Sequence, residues 1–218
     1  MTDLTKRKFK ACLWPTIYLL LMVAVCVSGS ISFHNNYYKR FYVSQDSMCP
    51  TLEGKYNQCD YGLSDHNKTA INLLKRYQIG LMYFPSDYDS QGNLKEGAEL
   101  KIKRLLVLPG ERFKFQDYKL YLFDYNKNEW SDPLPMPFDR NTNNGNHSFY
   151  EDTTLDENEY FFAGDNCDVS NDCFDVGPLK YDYLSAVVVE VTGKRILNED
   201  GSYTYKKMNK RYFPGVDY

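Results

Sequence analysis

The hydrophobic positions of the chain form two patterns, and the change between them falls near residue 34. Residues 11–33 contain no charged residue, whereas the apolar residues after residue 37 occur in short runs separated by Asn, Asp, Gly and Pro. A run of about 20 apolar or small residues is long enough to cross a hydrocarbon layer as a helix. Short apolar and aromatic runs between turn residues are typical of β-strands. The pattern predicts one transmembrane helix followed by a mainly β domain.

Six segments of this domain have the composition of strands, and one segment favours a helix. The helix candidate is TAINLLKRY, residues 69–77, and the pair Asp200-Gly201 predicts a hairpin turn. The polar, Asn-rich stretch of residues 138–159 is expected to be an exposed loop or insertion. The strand candidates are residues 79–84, 100–108, 112–116, 119–123, 159–164 and 183–191. The domain is therefore expected to contain few, short helices.

Basic residues precede the apolar segment and predict its orientation. By the positive-inside tendency, they place residues 1–10 in the cytoplasm and residues 34–218 on the far side, with residues 11–33 as an uncleaved anchor. A cleaved signal peptide is the alternative, because VSGS at 27–30 offers small residues for cleavage. The apolar run is longer than the core of a signal peptide, which favours the anchor. The basic residues are Lys6, Arg7, Lys8 and Lys10.

The overall composition narrows the classes of partner. The chain has 218 residues, a net charge of -3, 43% hydrophobic residues and 25% charged residues, which is an ordinary globular balance. Its pI is near 5.7, and after the first ten residues no basic cluster is interleaved with aromatic residues. A nucleic acid is therefore not expected as a partner.

The cysteines permit several disulfide pairings. Two of the six lie within the apolar segment and four follow it. If the far side of the membrane is oxidising, four cysteines permit three pairings. Cys167 with Cys173 is the local candidate, and Cys49 with Cys59 would follow. No CxxC pair has zinc-finger spacing, so a metal site is not expected.

The first segment with possible chemistry is SQDSMCPTLEG, residues 44–54. Most serines cap helices or face water, so Ser47 alone is weak support for a nucleophile. The sequence Ser-Met-x-Pro-Thr-Leu nevertheless places its hydroxyl in a turn fixed by Pro50. One short linker separates this turn from the apolar segment.

The second segment is LKIKRLLVLPGE, residues 100–111. Strand alternation directs Lys101 and Lys103 to one face, with Ile102 and Arg104 on the other. A free lysine is a poor base because its pKa is near 10.4, and burial must lower that pKa by roughly two to three units to make the amine useful at neutral pH. The apolar residues that follow, 105–108, are suited to provide this burial. A solvated strand end is the alternative interpretation.

The third segment is FFAGDNCDVSNDCFDVGP, residues 161–178, in which an apolar strand ends and a dense polar loop follows. The spacing of Asp168, Ser170 and Asp172 is similar to that of a calcium loop. However, Cys173 occupies the position that needs glycine, and Leu179 the position that needs a bidentate glutamate. We therefore expect a loop that holds Ser170 and the carboxylates beside a site rather than a calcium site.

Together these segments resemble the type I signal peptidases, which are membrane-anchored Ser-Lys peptidases. The anchor comes first, followed by SMCPTL, KRLLVLPGE and GDNCDVSND in that order. QIGLMYFP and ERFKFQDYKLYL are weaker matches, and the likeness spans residues 44–191. The resemblance implies a β domain of several antiparallel sheets, acyl transfer without a cofactor, and location in the inner (cytoplasmic) membrane in contact with lipid. The absence of HExxH and GxSxG motifs argues against metalloprotease and α/β-hydrolase classes.

The resemblance also implies roles for particular residues. Ser47 matches the nucleophile and Lys103 the general base, while Ser170 matches the hydroxyl that orients the lysine amine. The backbone N–H of Ser47 and one neighbouring side chain are expected to bind the oxyanion. Met48 matches a residue of the substrate pocket, and Asp165 and Arg104 match a charged pair near the site.

Several positions depart from the family pattern. Gln45 stands where a small or hydroxyl residue is common, so either its amide or Ser44 is the second oxyanion donor. Cys167 and Phe174 replace arginines and Val169 replaces an asparagine, which puts the usual ion pairing around Asp172 in doubt. A Cys167–Cys173 bridge could supply rigidity instead.

These departures suggest a specialised member that resembles the peptidases of conjugative transfer systems, which mature a pilin subunit. The expected substrates are exported precursors, or a pilin precursor, with small residues before the cleavage site. A catalytically inactive, membrane-tethered β domain that binds partners through its Tyr-rich surface is the alternative from another class. A self-cleaving Ser-Lys domain of the LexA type normally carries a DNA-binding module, where this chain has an apolar segment.

Overall fold

The structure is a computed structural model that describes residues 3–117, 119–136 and 150–213, with side chains from residue 14 onward. The chain divides into two compact units, Met1–Lys39 and Arg40–Tyr218. The first is built on one long helix, and the second contains the strands that carry the candidate site.

A single helix, α1, extends over Asp3–Tyr37, beyond the predicted end of the apolar segment at residue 33. Its segment Trp14–Tyr37 has 24 residues and is long and apolar enough to cross a membrane. At 1.5 Å per residue this segment extends about 36 Å, against about 30 Å for the hydrocarbon layer. The hydroxyls of Ser28 and Ser30 donate to backbone carbonyls of the same helix at 3.0 and 2.9 Å. These two hydroxyls are thereby satisfied within the helix.

The chain beyond α1 is mainly β, as predicted, and its paired strands are antiparallel. Two short helices, α2 at Lys68–Asn72 and α3 at Cys173–Val176, accompany the strands. The strands are β1 Tyr38–Tyr42, β2 Gly54–Lys55, β3 Gln58–Asp65, β4 Ile79–Met82, β5 Lys101–Val107, β6 Arg112–Gln116, β7 Lys119–Asp124, β8 Glu129–Trp130, β9 Thr153–Thr154, β10 Glu159–Ala163, β11 Leu179–Lys180, β12 Leu184–Leu197 and β13 Tyr203–Arg211.

These strands form two sheets in the described part of the chain. The larger sheet has the order β1-β3-β12-β4-β5-β10-β11, with β2 paired to β3 and β13 paired to β12. The smaller sheet has the order β8-β7-β6-β9. All six predicted strands are present, and β12 continues beyond its predicted end at residue 191. The predicted hairpin is confirmed, because Leu197 pairs with Tyr203 across the turn that contains Gly201.

The predicted helix 69–77 is wrong in its second half. Helix α2 begins normally, because the Asn67 side chain accepts a hydrogen bond from Thr69 N at 2.9 Å. It ends at Asn72, and the chain then turns so that Arg76 becomes almost completely buried, with 2% of it exposed. Its guanidinium binds the carboxylate of Glu111 at 2.6 Å. A tertiary ion pair therefore overrides the local helical preference.

Strand β3 has no counterpart among the predicted strands, because polar residues occupy its buried positions. Asp60 and Ser64 are each only 1% exposed. Asp60 accepts hydrogen bonds from Arg211 at 2.7 Å and from the Glu53 N–H at 2.9 Å. Both bonds go to one oxygen of the carboxylate, and Arg211 is distant in sequence, so local pattern gives no signal that a polar residue is buried here.

The predicted exposed insertion, 138–159, is partly corrected. Residues 138–149 lie outside the described residues. The remainder is not a simple exposed loop, because Thr154 pairs with Arg112 on β6 and Leu155 is only 3% exposed. This segment adds strand β9 to the smaller sheet.

The possible disulfides are not formed in this structure. Cys167 and Cys173 are not bridged, and neither are Cys49 and Cys59. Cys173 begins α3 and its sulfur accepts a hydrogen bond from the Phe162 N–H at 3.1 Å. The sulfur is therefore held against β10. Burial raises the pKa of the Cys173 thiol above its ordinary range.

Strand β5 lies between β4 and β10 in the larger sheet. Lys103 is in register with Gly80 of β4, and Arg104 is in register with Ala163 of β10. The next three residues of β5, Leu105 to Val107, are fully buried in the larger apolar cluster. Strand β5 thus carries two basic residues directly into the interior.

Candidate active site

Ser47 lies in a short 3-10 turn, Asp46–Met48, after β1. The turn is closed by the Cys49 N–H, which donates to the Asp46 carbonyl at 3.0 Å. Met48 is completely buried and packs in the second apolar cluster, with Leu81 and Val188 among its members. This side chain fixes the turn to the core, while Ser47 remains half-buried at the surface.

The loop after β10 holds the same turn from the other side. The Asn166 N–H donates to the Ser47 carbonyl at 3.0 Å, and its side-chain amide donates to the Asp46 carbonyl at 3.1 Å. Gly164 allows this approach, because a Cβ there would lie 2.5 Å from the Ser47 carbonyl oxygen and 2.1 Å from Ser170 Oγ. Any side chain at this position would push the loop and the turn apart.

Lys103 reaches Ser47 from β5. Its amine Nζ lies 2.8 Å from Ser47 Oγ, and the residue is only 3% exposed. Burial lowers the pKa of the Lys103 amine to about 8, because removal from water penalises the ammonium form; the carboxylate of Asp172 opposes part of this decrease. At pH 7 about one amine in ten is therefore neutral.

Asp172 organises the loop beside the amine. It is fully buried and accepts hydrogen bonds from Ser170 Oγ and Gly164 N at 2.8 Å each, and from Phe174 N at 3.1 Å. It also caps α3, forming a capping box with Asp175. Backbone N–H groups and a hydroxyl thus stabilise this carboxylate at a loop where the family pattern has arginines.

Ser170 was expected to orient the lysine amine. Among the described residues, its hydrogen bond is to Asp172 and not to Lys103. The structure places Ser170 in the loop at the site, 6% exposed. Its position is as expected, but the contact that the resemblance implies is not formed.

Arg104 and Asp165 form a buried ion pair next to the dyad. Arg104 Nε and Nη2 donate to the two carboxylate oxygens of Asp165 at 2.8 and 2.5 Å. A third donor, Nη1, binds the Tyr77 carbonyl at 2.8 Å. This bidentate geometry joins β5, the loop after β10 and the chain before β4. Tyr77 has a positive φ of 69°, so its carbonyl is held in a conformation that few residues adopt.

A small cavity opens beside the hydroxyl and the amine. Its volume is about 30 Å³, and its lining includes Ser44, Gln45 and Met48 as well as Ser47 and Lys103. Gln45 and Ser44 are exposed at its edge. The Gln45 amide donates to the Glu99 carboxylate at 3.1 Å, so in this structure it is directed to Glu99.

The structure places Ser47 in contact with Lys103, and Ser44, Gln45 and Met48 line the same cavity. Arg104, Asp165, Ser170 and Asp172 lie on β5 and in the loop after β10. Asn166, Gly164 and Glu99 have contacts that sequence reasoning did not assign. Asn166 and Gly164 belong to the GDNCDVSND segment, and their position in this motif could have indicated that they lie at the site. Glu99 lies outside these motif segments, so the sequence did not indicate its contact with Gln45. No group of His, Cys, Asp and Glu side chains suited to a metal ion occurs within the described ranges.

Comparison with known protein families places the chain in one of them. The profile of the family described as "Signal peptidase, peptidase S26" matches residues 13–192. Because the match covers well over half of the chain, the chain belongs to this family of serine peptidases.

One solved structure is similar to the chain over part of its length. It is the crystal structure of a signal peptidase I from Enterococcus faecalis V583, with 23% sequence identity and a TM-score of 0.37. The match covers 52% of this chain and 95% of that chain. No curated protein sequence matches the chain significantly.

Proposed function

We propose that the protein is a membrane-anchored endopeptidase that removes signal peptides from exported precursors with Ser47 as nucleophile and Lys103 as general base. The observation that carries this proposal is the 2.8 Å contact between Ser47 Oγ and a lysine amine that is only 3% exposed. Hydroxyl and amine at this separation are within proton-transfer reach. Membership of the signal peptidase family supplies the substrate class.

The proposed reaction is acyl transfer in two steps. Neutral Lys103 accepts the Ser47 proton, Ser47 Oγ attacks the peptide carbonyl, and the resulting ammonium protonates the departing amine. Water then attacks the remaining ester and loses a proton to the same amine; the bond between the acyl carbon and Ser47 Oγ breaks, and Oγ takes that proton back from Lys103. With a pKa of about 8, roughly one amine in ten is neutral at pH 7. With an ordinary lysine pKa, only about one in a few thousand would be.

The oxyanion requires donors that face the attacked carbonyl. The backbone N–H of Ser47 is the first proposed donor, and Gln45 or Ser44 is the second. Gln45 would have to release Glu99 to serve, because its amide is bound there at 3.1 Å. Ser44 is exposed at the edge of the same cavity.

The cavity is consistent with substrates that have small residues before the cleaved bond. A volume of about 30 Å³ accommodates a methyl-sized group rather than a large side chain. Met48 is among the lining residues and is completely buried. Alanine-like residues are accordingly the expected occupants, in a general exported precursor or a pilin precursor.

The proposed location is the inner (cytoplasmic) membrane, with α1 as a single span. The 24-residue apolar segment is long enough, and basic residues precede it. This orientation places the catalytic unit on the exported side, in contact with lipid near the anchor. Resistance of the full chain to alkaline carbonate extraction would support an anchor rather than a cleaved leader.

A specialised role in pilin maturation is the second candidate. Gln45, Cys167 and Phe174 depart from the family pattern, and Phe174 is packed among aromatic core residues at 4.7 Å from Phe115. A catalytically inactive β domain is the third, and the contact between Ser47 and Lys103 argues against it, since a binding domain would not need a buried amine against a hydroxyl.

The decisive experiment compares Ser47→Ala with wild type in detergent-solubilised full-length protein. A labelled exported precursor and a pilin precursor are offered separately, and the new N-termini are read by mass spectrometry. We expect Ser47→Ala to reduce cleavage at least about a thousandfold, because the nucleophile is removed. Ser185→Ala is the matched control, since Ser185 is also half-buried but lies on β12.

Cleavage by Ser47→Ala within tenfold of wild type would contradict the proposed mechanism. Efficient cleavage of the pilin precursor alone would select the specialised role, and cleavage of both would select the general one. Absence of cleavage in wild-type protein with either precursor would favour the inactive domain.

A further inference from the structure

The end of strand β13 contacts the segment that carries the candidate nucleophile. Arg211 is the last residue of this strand, and its Nη1 donates to the Thr51 carbonyl at 2.7 Å. Its Nη2 donates to the carboxylate of Asp60, on β3, at 2.7 Å. Thr51 follows Ser47 by four residues, whereas Arg211 is 160 positions away from Thr51. One guanidinium therefore joins the C-terminal strand to β3 and to the turn of the candidate site.

The Asp60 end of this contact is buried. Asp60 is only 1% exposed, and the oxygen that Arg211 binds also accepts the Glu53 N–H at 2.9 Å. Its other oxygen, Oδ1, is buried and has no hydrogen-bond partner among the described residues. A buried carboxylate is strongly unfavourable without a cation beside it. Arg211 is therefore held in place, although its side chain is 37% exposed.

Thr51 is bound through its side chain as well as its carbonyl. Its Oγ1 accepts a long hydrogen bond, 3.4 Å, from Arg104 Nη2. Within the described part of the chain, Arg211 is the only hydrogen-bond donor to its carbonyl. The next residue, Leu52, is fully buried, and its N–H donates to the Met48 carbonyl at 2.9 Å. A shift of Thr51 would consequently be transmitted through this closed turn to the residues beside Ser47.

The residues after β13 reach the same part of the site. The ring of Phe213 lies 5.8 Å from the guanidinium of Arg104, which forms the buried ion pair with Asp165. A cation above an aromatic ring is attracted to it. Phe213 also packs against the apolar cluster that contains Met48. Arg211 and Phe213 thus make two separate contacts with the site, and both lie beyond the residues that the family profile matches.

We propose that Arg211 is a positioning residue for peptide cleavage, which holds the turn of Ser47 against Lys103 through the Thr51 carbonyl. This role rests on the proposed function, in which Ser47 is the nucleophile. Arg211 forms no described hydrogen bond with the dyad, so it acts through the backbone of the turn. The separation of 2.8 Å between hydroxyl and amine leaves little tolerance, since a displacement of about 1 Å can reduce a rate about a hundredfold.

The test separates the bond to Thr51 from the ion pair with Asp60. Arg211→Met alone would leave Asp60 buried without a cation and would destabilise the fold whatever the role of the turn. It is therefore combined with Asp60→Asn, which removes that charge. Asp60→Asn alone is the comparison, because it keeps the donor to Thr51. Lys210→Met is the matched control, since Lys210 is the neighbouring residue of β13 and pairs with Glu190 at 2.8 Å.

Steady-state cleavage of the exported and pilin precursors is measured with detergent-solubilised full-length protein. The value of kcat is expressed per folded molecule, with the folded fraction taken from thermal melting. We expect the double variant to lose about thirtyfold in kcat relative to Asp60→Asn, because the hydroxyl is displaced from the amine. Its KM should stay within twofold, since Arg211 does not line the cavity. Asp60→Asn should stay within fivefold of wild type in kcat, and Lys210→Met within twofold.

Hydrogen exchange of the turn gives a readout that needs no precursor. The N–H groups of Cys49 and Leu52 donate within the turn, so their exchange reports its opening. In peptides that cover residues 46–52, we expect at least tenfold faster exchange in the double variant than in Asp60→Asn or Lys210→Met. Exchange of the Phe162 N–H on β10 should be the same in all of them.

A double variant with kcat within threefold of Asp60→Asn, or with unchanged exchange of the turn, would overturn the role of Arg211. Equal acceleration of exchange in the turn and in β10 would also overturn it, because the whole domain would then have loosened. Ser47→Ala is measured in parallel. If Ser47→Ala cleaved, or wild type did not, the proposed function would fail and this role with it. If Ser47→Ala were inactive while the double variant kept its kcat, only the role of Arg211 would fail.

Discussion

Lys101 and Lys103 lie two residues apart on β5 and have opposite environments. The Lys101 amine forms an ion pair with Asp87 at 2.7 Å, and its side chain is 25% exposed. It also lies 5.5 Å from the ring of Phe84. Lys103 is 3% exposed, and its amine contacts the neutral hydroxyl of Ser47. The Lys101 amine is therefore partly hydrated and paired with a carboxylate, whereas the Lys103 amine is shielded from water and contacts a hydroxyl.

The difference shows what converts a lysine into a base. Burial removes the solvation that stabilises an ammonium group, and a hydroxyl cannot replace it as a carboxylate can. The pKa of Lys103 consequently falls to about 8, even though the more distant carboxylate of Asp172 raises it in part. Position on the strand alone does not decide this outcome, because both lysines belong to the same strand.

The largest expected effect on precursor cleavage comes from replacing Lys103 with an apolar side chain of similar length, and the same replacement of Lys101 is the comparison. Lys103→Met should reduce precursor cleavage about a thousandfold, because the proposed base is lost. Lys101→Met should reduce it less than tenfold, since only an ion pair at the edge of the site is removed. Initial rates of cleavage by detergent-solubilised protein measure both effects.

If Lys103→Met retained more than a tenth of the wild-type cleavage rate, Lys103 could not be the base that distinguishes it from Lys101. Circular dichroism melting of both variants serves as the folding control. A Lys103→Met protein that melts like wild type and does not cleave would support a chemical rather than structural role.

A smaller effect is expected from pH: below the pKa of Lys103, the cleavage rate should change about tenfold for each pH unit. The neutral form of Lys103 is the active one, so the rate should rise as pH increases towards about 8 and level off above about 9. At pH 6 only about one amine in a hundred is neutral. Measurements of kcat/KM between pH 6 and 10 should show this acidic limb. A flat profile over that range would argue against Lys103 as the titrating base.

The smallest effect is expected from Asp172→Asn. The carboxylate of Asp172 raises the pKa of Lys103, so its removal should lower that pKa and move the acidic limb to lower pH. The amide oxygen can still accept one of the bonds from Ser170 and Gly164. Asp152→Asn is the control, because Asp152 is exposed and paired with Arg112. A limb that moved to higher pH would contradict this account of the amine.

Local patterns predicted most of the strands because their periodicity is short-range. The segment 112–116 is strand β6, and 159–164 contains all of β10. Strand β3 escaped prediction because Asp60 is buried against Arg211, a partner about 150 positions away in the chain. The C-terminal half of the predicted helix failed for the same reason, since Arg76 is drawn to Glu111.

The candidate site was predicted less evenly. The motif segments identified Ser47, Lys103 and the acidic loop, but not how the loop is stabilised. The Cys167–Cys173 bridge was proposed to replace a missing arginine, whereas hydrogen bonds from Ser170 and two backbone N–H groups reach Asp172 instead. Backbone donors are present at every residue and leave no trace in a sequence pattern.

By itself, the sequence determined the apolar helix, the mainly β character and the residue types available for chemistry, because these depend on composition and on neighbours within a few positions. Only the tertiary structure decided that the amine of Lys103 meets Ser47 while that of Lys101 meets Asp87. The pKa of a lysine depends on the water and charges removed or supplied by residues far along the chain. Those distances are fixed only when the strands pack.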